Sequence, residues 1–513
     1  MLTRFFRYLA LIVAIVTLIV TASQASANWN TFDTTYKALL PPKNETGEIQ
    51  KWDTRTITYS FVTAENAKTY PAENPEKVSP VPEETKGYVR EILEEMYASV
   101  IPITFKEIED TNNPKASANI RVMIYEQGGG SYASAYRPKT YGDERDGGVF
   151  LYSEGGDWKK GIGSAEYATL IHELGHAMGL KHSGRYSADE ETPFLPLETD
   201  NTLNTVMSYN VDSSLAQEPS SWNWSLMPYD IAALQALYGA NKSFQVGDTV
   251  YKFNGDGSTT FPFSSSDRQF KATQAIWDTG GTNSIDATAL PAEESGYHYD
   301  LRPGGQITTK AALNTGRYTL HAPNTQNPEG EAEQTFPVSK FGTVIGFGVQ
   351  IKDVQGSSSA DEVIGNDLNN RLVGNAGNDL LEGGAGNDWL EGGLGDDWLI
   401  ASAGKNVLLG GTGNDLYEIA GQVAGTRIVD TEGRDRVIFD QKAPRFGLFA
   451  GEMGMVRQAE DLLIDSNADG IANSEQDIVI AKFFSDSSIA SVGNFSNSEI
   501  VAFFSPTIYA GTN

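Results

Sequence analysis

Residues 356–418 read GSSSADEVI-GNDLNNRLV-GNAGNDLLE-GGAGNDWLE-GGLGDDWLI-ASAGKNVLL-GGTGNDLYE, which is seven consecutive units of nine residues. The eighth position of every unit is apolar, and these residues are Val363, Leu372, Leu381, Leu390, Leu399, Leu408 and Tyr417. The glycine-rich half of a unit suits a tight turn. A flexible glycine-rich linker has no reason to keep this register, so the pattern predicts a structural unit that must stack on its neighbours.

Most of the units also carry an acidic residue at position six. The pattern G-G-x-G-x-D-x-U-x is typical of a calcium-binding parallel β-roll, in which the carboxylate meets Ca²⁺ between successive coils and the apolar residue fills the interior. The candidate calcium ligands are Asp361, Asp379, Asp388, Asp397 and Asp415. Asn370 and Asn406 replace the acid in two units, and Lys405 precedes the second, so we predict weaker or missing sites there. Extracellular calcium modules have dissociation constants of about 10⁻⁴–10⁻³ M, which would couple folding of this segment to export.

The composition restricts the chemistry that is available to the chain. Its 513 residues include 38 Lys+Arg and 67 Asp+Glu, a formal charge of −29, which makes nucleic acid a poor partner. The absence of Cys excludes disulfides, thiolate zinc sites and a cysteine nucleophile. Metal ligands must therefore be oxygen or imidazole, and the acidic excess repels itself unless cations bind.

The N-terminus has the pattern of a secretory signal peptide. Arg4 and Arg7 precede the apolar run at 8–20, and Ala25-Ser26-Ala27 is typical of a cleavage site. The alternative is an uncleaved membrane anchor, but that needs about 20 apolar residues and this run is shorter. We expect residues 1–27 to be removed during export, which leaves a secreted monomer without stable membrane insertion. We expect residues 28–50 to form a pro-segment or an N-terminal arm.

The remainder of the chain divides by its periodicity. Residues 51–245 combine alternating strand patterns with helical spacing, which predicts a mixed α/β domain. Its helices are expected after Pro82, from the capping residue Ser164, and from about Asp230 to Tyr238. Short strands punctuated by Gly, Asn and Asp follow over 246–355 and again, after the repeats, over 419–513, so the second half is expected to be all-β.

The second of these helices carries the motif HELGHAMGLKH, which begins at His172. His172 and His176 share one helix face, about 6 Å apart along the axis, and two imidazoles so placed can bind one Zn²⁺. Glu173 can take a proton from the attacking water. Gly179 can adopt φ > 0 and end the helix, which brings His182 back as a third ligand. Ordinary helix-face histidines are the alternative, but three of the five His in the chain fall in this motif.

The long motif and the downstream sequence Thr205-Val-Met-Ser-Tyr209 resemble the metzincin metallopeptidases, whose second hallmark is a Met-turn. The Met-Ser-Tyr form is similar to the serralysin branch. This resemblance implies that Met207 forms the base of the site, and that Tyr209 is a movable fourth zinc ligand that donates to the oxyanion when displaced. Ser183 departs from the family, because serralysins commonly have Pro at that position.

Two further segments resemble serralysins: DIAALQALYGAN at 230–241, and IWD, GG and NSID within 276–286. The implied architecture is a multidomain chain, with an α/β metzincin zinc-protease domain followed by an all-β RTX domain that forms a parallel β-roll or β-sandwich. The implied activity is zinc-dependent hydrolysis of peptide bonds in proteins. Extended substrates would pair with an edge strand, for which Ser131 to Tyr136, after Gly128-Gly129-Gly130, is the candidate; a plain surface strand is the alternative.

Three observations leave other readings open. A catalytically silent calcium-binding surface or matrix module is the competing function, although the zinc motif is complete. Serralysins typically leave the cell by a C-terminal signal, whereas this chain has an N-terminal one, which favours passage through a periplasm. The segment from Asp465 to Gly470 begins like an EF-hand loop, but Gln476 occupies position twelve, so an Asx-rich turn is the better interpretation.

Overall fold

The fold is described from a computed structural model. The described residues are 35–43, 47–69, 75–111, 113, 117–126, 132–186, 190–211, 222–255, 258–260, 268–269, 273–320, 334–422, 425–430, 432–439, 455–458, 461–464, 478–480, 489–492 and 495–496. The predicted signal peptide, the Gly128–Gly130 run with Ser131, and the EF-hand-like segment lie outside them. Among the described residues, no helix has the length and apolar character needed to cross a membrane.

The first domain contains one six-stranded sheet: β1 (Thr56–Phe61), β2 (Val78–Ser79), β3 (Thr104–Glu107), β4 (Ile120–Tyr125), β5 (Ala133–Ala135) and β6 (Gly148–Tyr152). The order is β3-β1-β4-β6-β5, and β2 pairs with β4. The neighbours along this order are parallel except β5, which runs antiparallel to β6 and ends the sheet. Every residue of β4 is buried, as expected for a strand covered on both faces.

The helices of this domain are α1 (Glu83–Arg90), a π-helical stretch (Glu91–Tyr97), α2 (Ala98–Val100), α3 (Ala165–Ala177) and α4 (Pro228–Tyr238), with 3₁₀ turns at Tyr36–Leu39, Asn66–Thr69 and Pro75–Lys77. The helix predicted after Pro82 is thus continuous to Val100 but widens into a π-helix midway, which its apolar spacing does not signal. Ser164 caps α3, since its hydroxyl accepts the Tyr167 N–H at 3.1 Å. The last helix begins at Pro228, two residues before the predicted start.

The described residues of the second half form twenty-five short strands. Those before the repeats are β7 (Val250–Phe253), β8 (Ser258–Thr260), β9 (Arg268–Gln269), β10 (Thr273–Ile276), β11 (Asn283–Asp286), β12 (Tyr297–Asp300), β13 (Gln306–Thr309), β14 (Gly316–Leu320), β15 (Gln334–Val338), β16 (Gly342–Ile345) and β17 (Ile351–Gln355). The repeats hold β18 (Glu362–Ile364), β19 (Arg371–Ala376), β20 (Leu380–Glu382), β21 (Trp389–Leu394), β22 (Trp398–Ala403), β23 (Val407–Thr412) and β24 (Leu416–Gln422). Then follow β25 (Arg427–Val429), β26 (Asp435–Phe439), β27 (Met455–Gln458), β28 (Asp461–Ile464), β29 (Ile478–Ile480), β30 (Ile489–Val492) and β31 (Phe495–Ser496).

The repeats form a parallel roll, as predicted. Strands of successive units alternate between two large sheets, so that β18, β20, β22 and β24 are neighbours in one sheet and β19, β21 and β23 in the other. The eighth-position residues align across these strands, for example Leu372 with Leu390 and Leu390 with Leu408. All seven have no exposed surface, so they form the interior of the roll.

A two-stranded hairpin, β14 with β15, extends from the second half to the first domain. Its Tyr318 stacks on Phe336 with ring centroids 5.5 Å apart, and the Tyr318 hydroxyl donates to the Leu197 carbonyl. Leu203 and Val338 join the same small buried cluster. The loop that precedes the predicted Met-turn is therefore packed against a strand pair of the β domain.

Substitution of two leucines of β21 tests whether the eighth-position residues form the interior of the roll. Leu390 is fully buried and Leu394 is 59% exposed. We expect Leu390→Ala to lower the free energy of unfolding by about 2–5 kcal/mol, because it removes buried methyl groups and leaves a cavity. Leu394→Ala should change it by less than about 0.5 kcal/mol. Urea denaturation at one fixed calcium concentration measures both, and equal effects would contradict the assignment.

Candidate metal centres

The three histidines of the motif converge on one point. The Nε2 atom of His182 lies 3.3 Å from that of His172 and 3.1 Å from that of His176. His172 is 7% exposed, and burial lowers its pKa to about 3. Burial also places the pKa of His176 well below its ordinary value. Both rings are therefore neutral at physiological pH, which is the form that binds metals.

The other ring nitrogens decide which atoms carry the protons. The Nδ1 atom of His172 lies 2.7 Å from the Val206 carbonyl, and that of His176 lies 2.8 Å from the Leu180 carbonyl. The Nδ1 atom of His182 contacts a carboxylate oxygen of Glu190. Because these oxygens accept, each Nδ1 carries a hydrogen and each Nε2 presents a lone pair. Three lone pairs this close repel one another unless a cation lies between them, so the site fits a divalent metal.

The turn after α3 brings the third histidine into place. Gly179 has φ +104°, and a Cβ there would lie 2.4 Å from the Gln50 carbonyl oxygen, so a side chain is excluded on both grounds. The chain then reverses, with the Leu180 N–H donating to the Gly175 carbonyl at 2.9 Å. The described part of the N-terminal arm supports this turn, because the Lys181 N–H donates to the Leu39 carbonyl at 2.9 Å.

Glu173 lies next to the first histidine and is nearly enclosed, with 5% of its surface exposed. Within the described structure its Oε2 atom has no hydrogen-bond partner. Burial raises the pKa of Glu173 to about 8 in the metal-free chain. A carboxylate held in this way has a high proton affinity, which suits the transfer of a proton near neutral pH.

Met207 is fully buried against Gly175 of the helix that carries His172 and His176. A Cβ on Gly175 would come within 2.8 Å of the Met207 sulfur, so the helix and the turn are in close contact. Asp230 fixes this turn, because its carboxylate accepts the Thr205 hydroxyl at 2.5 Å and the Val206 N–H at 2.8 Å. From the sequence, Asp230 is expected only to begin a helix. Its position at the third residue of α4 was the available signal of a capping role.

Tyr209 completes the cluster from the open side. Its hydroxyl lies 2.8 Å from the Nε2 atom of His182, and 57% of the residue is exposed. The structure thus places the predicted fourth ligand beside the three nitrogens. Glu190, by contrast, gave no sequence signal, since it lies eight residues after His182 in a loop of irregular sequence.

The predicted edge strand occupies the edge of the sheet nearest the histidines. The Tyr132 carbonyl and the Tyr136 N–H bond to β6, so by the alternation of antiparallel pairing the backbone groups of Ala133 and Ala135 face the open side. A cavity of about 240 Å³ lies between this strand and the histidines, and Tyr136, Arg137, Thr140, His176, His182 and Glu191 are among the residues that line it.

Along one edge of the roll, four of the sixth-position acids and Asp435, which follows the last repeat, form a ladder. The N–H of each residue donates to the carboxylate of the next at 2.7–2.8 Å, in the order Asp361, Asp379, Asp397, Asp415 and Asp435. We call these five residues the aspartate ladder. Their carboxylates are stacked at the same height in successive coils and are buried.

The ladder leaves negative oxygen atoms without donors. The Oδ2 atoms of Asp379, Asp397 and Asp415 are buried and have no hydrogen-bond partner within the described residues. Each lies against a glycine, where an added Cβ would come within 2.1–2.2 Å of that oxygen. Buried anions without partners cost free energy, and carboxylate oxygens are the preferred ligands of calcium, so these residues fit that ion. Asp361 differs, because Ser357 and Tyr297 donate to both of its oxygens.

The opposite edge is built differently. Its residues are Asn370, Asp388, Asn406 and Thr426, which we call the mixed ladder, and they are linked by the same kind of N–H bond at 2.8–3.2 Å. The side-chain amide of Asn370 donates to the Lys352 carbonyl at 2.9 Å, and that of Asn406 to the Ala403 carbonyl at 3.0 Å. The side chains of these two Asn residues are therefore hydrogen-bonded within the protein. Asp388 keeps a buried oxygen without a partner among the described residues.

A further carboxylate cluster closes the aspartate ladder. Asp415, Asp430 and Asp435 are all buried, and their carboxylate oxygens approach within 4.8 Å of one another. The Tyr417 hydroxyl donates to Asp430. Asp430 and Asp435 follow the last repeat and lack its spacing, so the repeat pattern does not predict them as ligands. The substitution of Tyr417 for the usual Leu at position eight was a local signal of a polar partner.

Comparison with known proteins gives two kinds of similarity. The family model described as the RTX calcium-binding nonapeptide repeat matches residues 364–399 and 382–417. A serralysin of Proteus mirabilis is 32% identical over 189 residues, which is 35% of this chain and 38% of the relative. Serralysin C of Dickeya chrysanthemi is 30% identical over 230 residues, 41% of this chain and 47% of the relative.

The metalloprotease AprA of Pseudomonas entomophila is 28% identical over 250 residues, which is 47% of this chain and 50% of that protein. The chain thus spans half or less of the length of these relatives. Together with the histidine cluster, these matches show a serralysin-like metalloprotease sequence that carries RTX calcium-binding repeats.

Proposed function

We propose that this protein is a zinc-dependent endopeptidase that is exported and hydrolyses peptide bonds in proteins. The observation that carries the proposal is the set of three Nε2 lone pairs facing one another, with the Glu173 carboxylate beside them. Its likeness to serralysins supports the same activity. A catalytically silent calcium-binding module is the competing function, and the convergence of the three histidines with Tyr209, near the buried Glu173, argues against it.

The residues have distinct roles in this proposal. His172, His176 and His182 would hold Zn²⁺, which would lower the pKa of a bound water and polarise the scissile carbonyl. Glu173 accepts the proton of the attacking water and passes it to the leaving amine. The hydroxyl of Tyr209 donates to the negatively charged oxygen of the carbonyl as the tetrahedral state forms.

The substrate would lie along the sheet edge. The outward backbone groups of Ala133 and Ala135 can pair with an extended peptide, which adds a strand to β5. That places the peptide beside the cavity next to His182 and Tyr136, where one of its side chains can enter. Unfolded or flexible protein segments are the substrates that can adopt this extended form.

Export and calcium binding belong to the same proposal. The N-terminal pattern would direct the chain out of the cytoplasm. Calcium is abundant in the extracellular medium that the chain then reaches. Calcium would then bind along the aspartate ladder, whose buried oxygen atoms it neutralises. The amide donors of Asn370 and Asn406 stand in for the ion on the mixed ladder, so calcium would be concentrated on one edge of the roll.

The first experiment is casein hydrolysis by the chain without residues 1–27. Zinc and calcium are measured in the same sample, before and after a zinc-selective chelator. We expect about one zinc per chain, loss of hydrolysis on chelation and its return when zinc is added. Stoichiometric zinc without hydrolysis of casein or of a denatured protein mixture would refute the proposal and favour the binding module.

Substitution of Glu173 separates proton transfer from metal binding. We expect Glu173→Gln to reduce casein hydrolysis by about 10²–10⁴-fold, because the amide cannot accept the proton, while zinc content is unchanged. His176→Ala is the matched control and should lose both zinc and activity. Full activity of Glu173→Gln would contradict the assigned role.

The calcium-free roll should be stabilised by acid. Burial raises the pKa of Asp379 to about 8 and those of Asp388, Asp397 and Asp415 to about 7. The folded values exceed the unfolded value of about 3.9, so the folded roll binds more protons in this range and its free energy of unfolding rises as the pH falls from about 8 to about 5. With calcium bound the sign reverses, because protons compete with the ion.

Thermal unfolding in a calcium chelator and in excess calcium, at several pH values, measures both slopes. Asp397→Asn removes one of the titrating groups and should flatten the chelator slope. A chelated chain that loses stability between pH 8 and pH 6 would show that the ladder carboxylates do not carry the effect.

One ladder residue and its neighbour test the assignment of calcium ligands. We expect Asp397→Asn to reduce the number of bound calcium ions and the calcium-induced rise in melting temperature, because it removes a buried negative oxygen. Asp396→Asn is the matched control, since Asp396 is exposed and its carboxylate only accepts from Asn414. Calorimetric titration measures both, and identical calcium binding by the two variants would contradict the assignment.

A further inference from the structure

Beside the histidines lies a buried carboxylate that the proposed chemistry does not use. Asp200 is 2% exposed. Its carboxylate accepts the Ser183 hydroxyl at 2.5 Å, the Tyr186 hydroxyl at 2.7 and 2.8 Å, and the Asn210 side-chain amide at 3.0 Å. These donors come from the segments immediately after His182 and immediately after Tyr209. Asp200 therefore ties together the two segments that carry the third and fourth candidate ligands.

The contact between Asp200 and Tyr186 depends on a glycine. A Cβ on Gly184 would lie 2.1 Å from the Asp200 Oδ2 atom and 2.8 Å from the Tyr186 Cζ atom. Any side chain at this position would push the carboxylate and the phenol apart. The Tyr186 hydroxyl is also 3.0 Å from the Ser208 hydroxyl. With the Ser183 hydroxyl at 3.3 Å, the Tyr186 hydroxyl is held by groups from three parts of the chain.

The fixed ring of Tyr186 supports Tyr209. The two rings are stacked, with centroids 4.5 Å apart and an interplanar angle of 24°. The same Tyr186 ring meets the His182 ring edge-on at 5.7 Å. Tyr209 is 57% exposed, and its ring also meets those of His172 at 5.6 Å and His182 at 4.7 Å, so the stack on Tyr186 is the shortest of its three ring contacts. Its hydroxyl then lies 2.8 Å from the His182 Nε2 atom.

We propose that Tyr186, held by Asp200, is a positioning residue that sets the resting place of Tyr209 at the metal. The inference rests on the proposed function and goes beyond it, because it assigns the control of the movable ligand to a residue that touches neither metal nor substrate. Ser183, which stands where serralysins commonly have Pro, contributes a hydroxyl to the same carboxylate. An aromatic stack of this kind shifts the population of the supported conformer by about two- to tenfold.

Asp200 and Tyr186 are also connected to the second half of the chain. Asp200 lies in the loop that the β14–β15 hairpin contacts through Leu197 and Leu203. The hairpin precedes β16, which belongs to the same sheet as β18 of the roll. The position of Asp200, and with it that of Tyr186, is therefore set partly by the second half of the chain.

The test uses the chain loaded with Cu²⁺ in place of zinc, because a tyrosine bound to Cu²⁺ gives a charge-transfer absorption band that histidine ligands alone do not give. Tyr209→Phe identifies the band by abolishing it. We expect Tyr186→Ala to reduce its intensity about two- to tenfold at unchanged copper content. Tyr186→Phe, which keeps the ring but loses the bond to Asp200, should give a smaller reduction. Tyr88→Phe, which removes a hydroxyl bonded to the Lys159 carbonyl, is the control and should keep the full band.

Three outcomes would overturn the inference: an unchanged band in Tyr186→Ala, an unchanged band in Tyr186→Phe, or no band in the unsubstituted chain. The Tyr186→Phe variant keeps the test decisive if Tyr186→Ala does not fold. Casein hydrolysis by the zinc-loaded chain is measured in parallel. Hydrolysis together with any of these three outcomes refutes the positioning role alone, whereas the absence of hydrolysis refutes the proposed function.

Discussion

The central constraint in the first domain is the close approach of three imidazole lone pairs, those of His172, His176 and His182, which repel one another. The carbonyl groups of Val206 and Leu180 and the carboxylate of Glu190 accept the Nδ1 hydrogens of the three rings. Each Nε2 atom therefore keeps its lone pair, and the three lone pairs face one another. A helix supplies two of the rings, a glycine turn supplies the third, and Asp230 holds the carbonyl that orients the first. A cation at the centre would relieve this repulsion, and the groups that orient the three rings come from several parts of the domain.

The roll uses the same principle with oxygen in place of nitrogen. Its aspartate ladder stacks buried carboxylates in successive coils, and backbone N–H groups satisfy only one oxygen of Asp379, Asp397 and Asp415. On the mixed ladder, two of the acids are replaced by Asn, and the amide hydrogens bond to carbonyl groups. One edge of the roll therefore keeps buried carboxylate oxygens without hydrogen-bond partners among the described residues, while the two Asn side chains of the other edge are hydrogen-bonded within the protein.

Much of this organisation could be predicted from local patterns. The spacing of the histidines, the cap at Ser164, the positive φ of Gly179 and the buried eighth positions of the repeats each follow from a rule that acts within a few residues. The edge strand at β5 was predicted from the resemblance to serralysins rather than from a local rule, and the backbone groups of Ala133 and Ala135 face its open side. The π-helical widening after Arg90 was not, because its buried residues keep a spacing that also fits an α-helix.

The sequence by itself determined the ligand types, the repeat register and the class of each half of the chain, because periodicity and short-range motifs encode them directly. The tertiary structure alone decided the partners that lie far apart in sequence. Glu190 on His182, Asp230 under the Met-turn, Asp200 on Tyr186, and Asp430 with Asp435 at the end of the ladder are ordinary acidic residues in an acidic chain. Only burial distinguishes them, because a carboxylate removed from water must find donors or a cation, and which ones it finds depends on how distant segments pack.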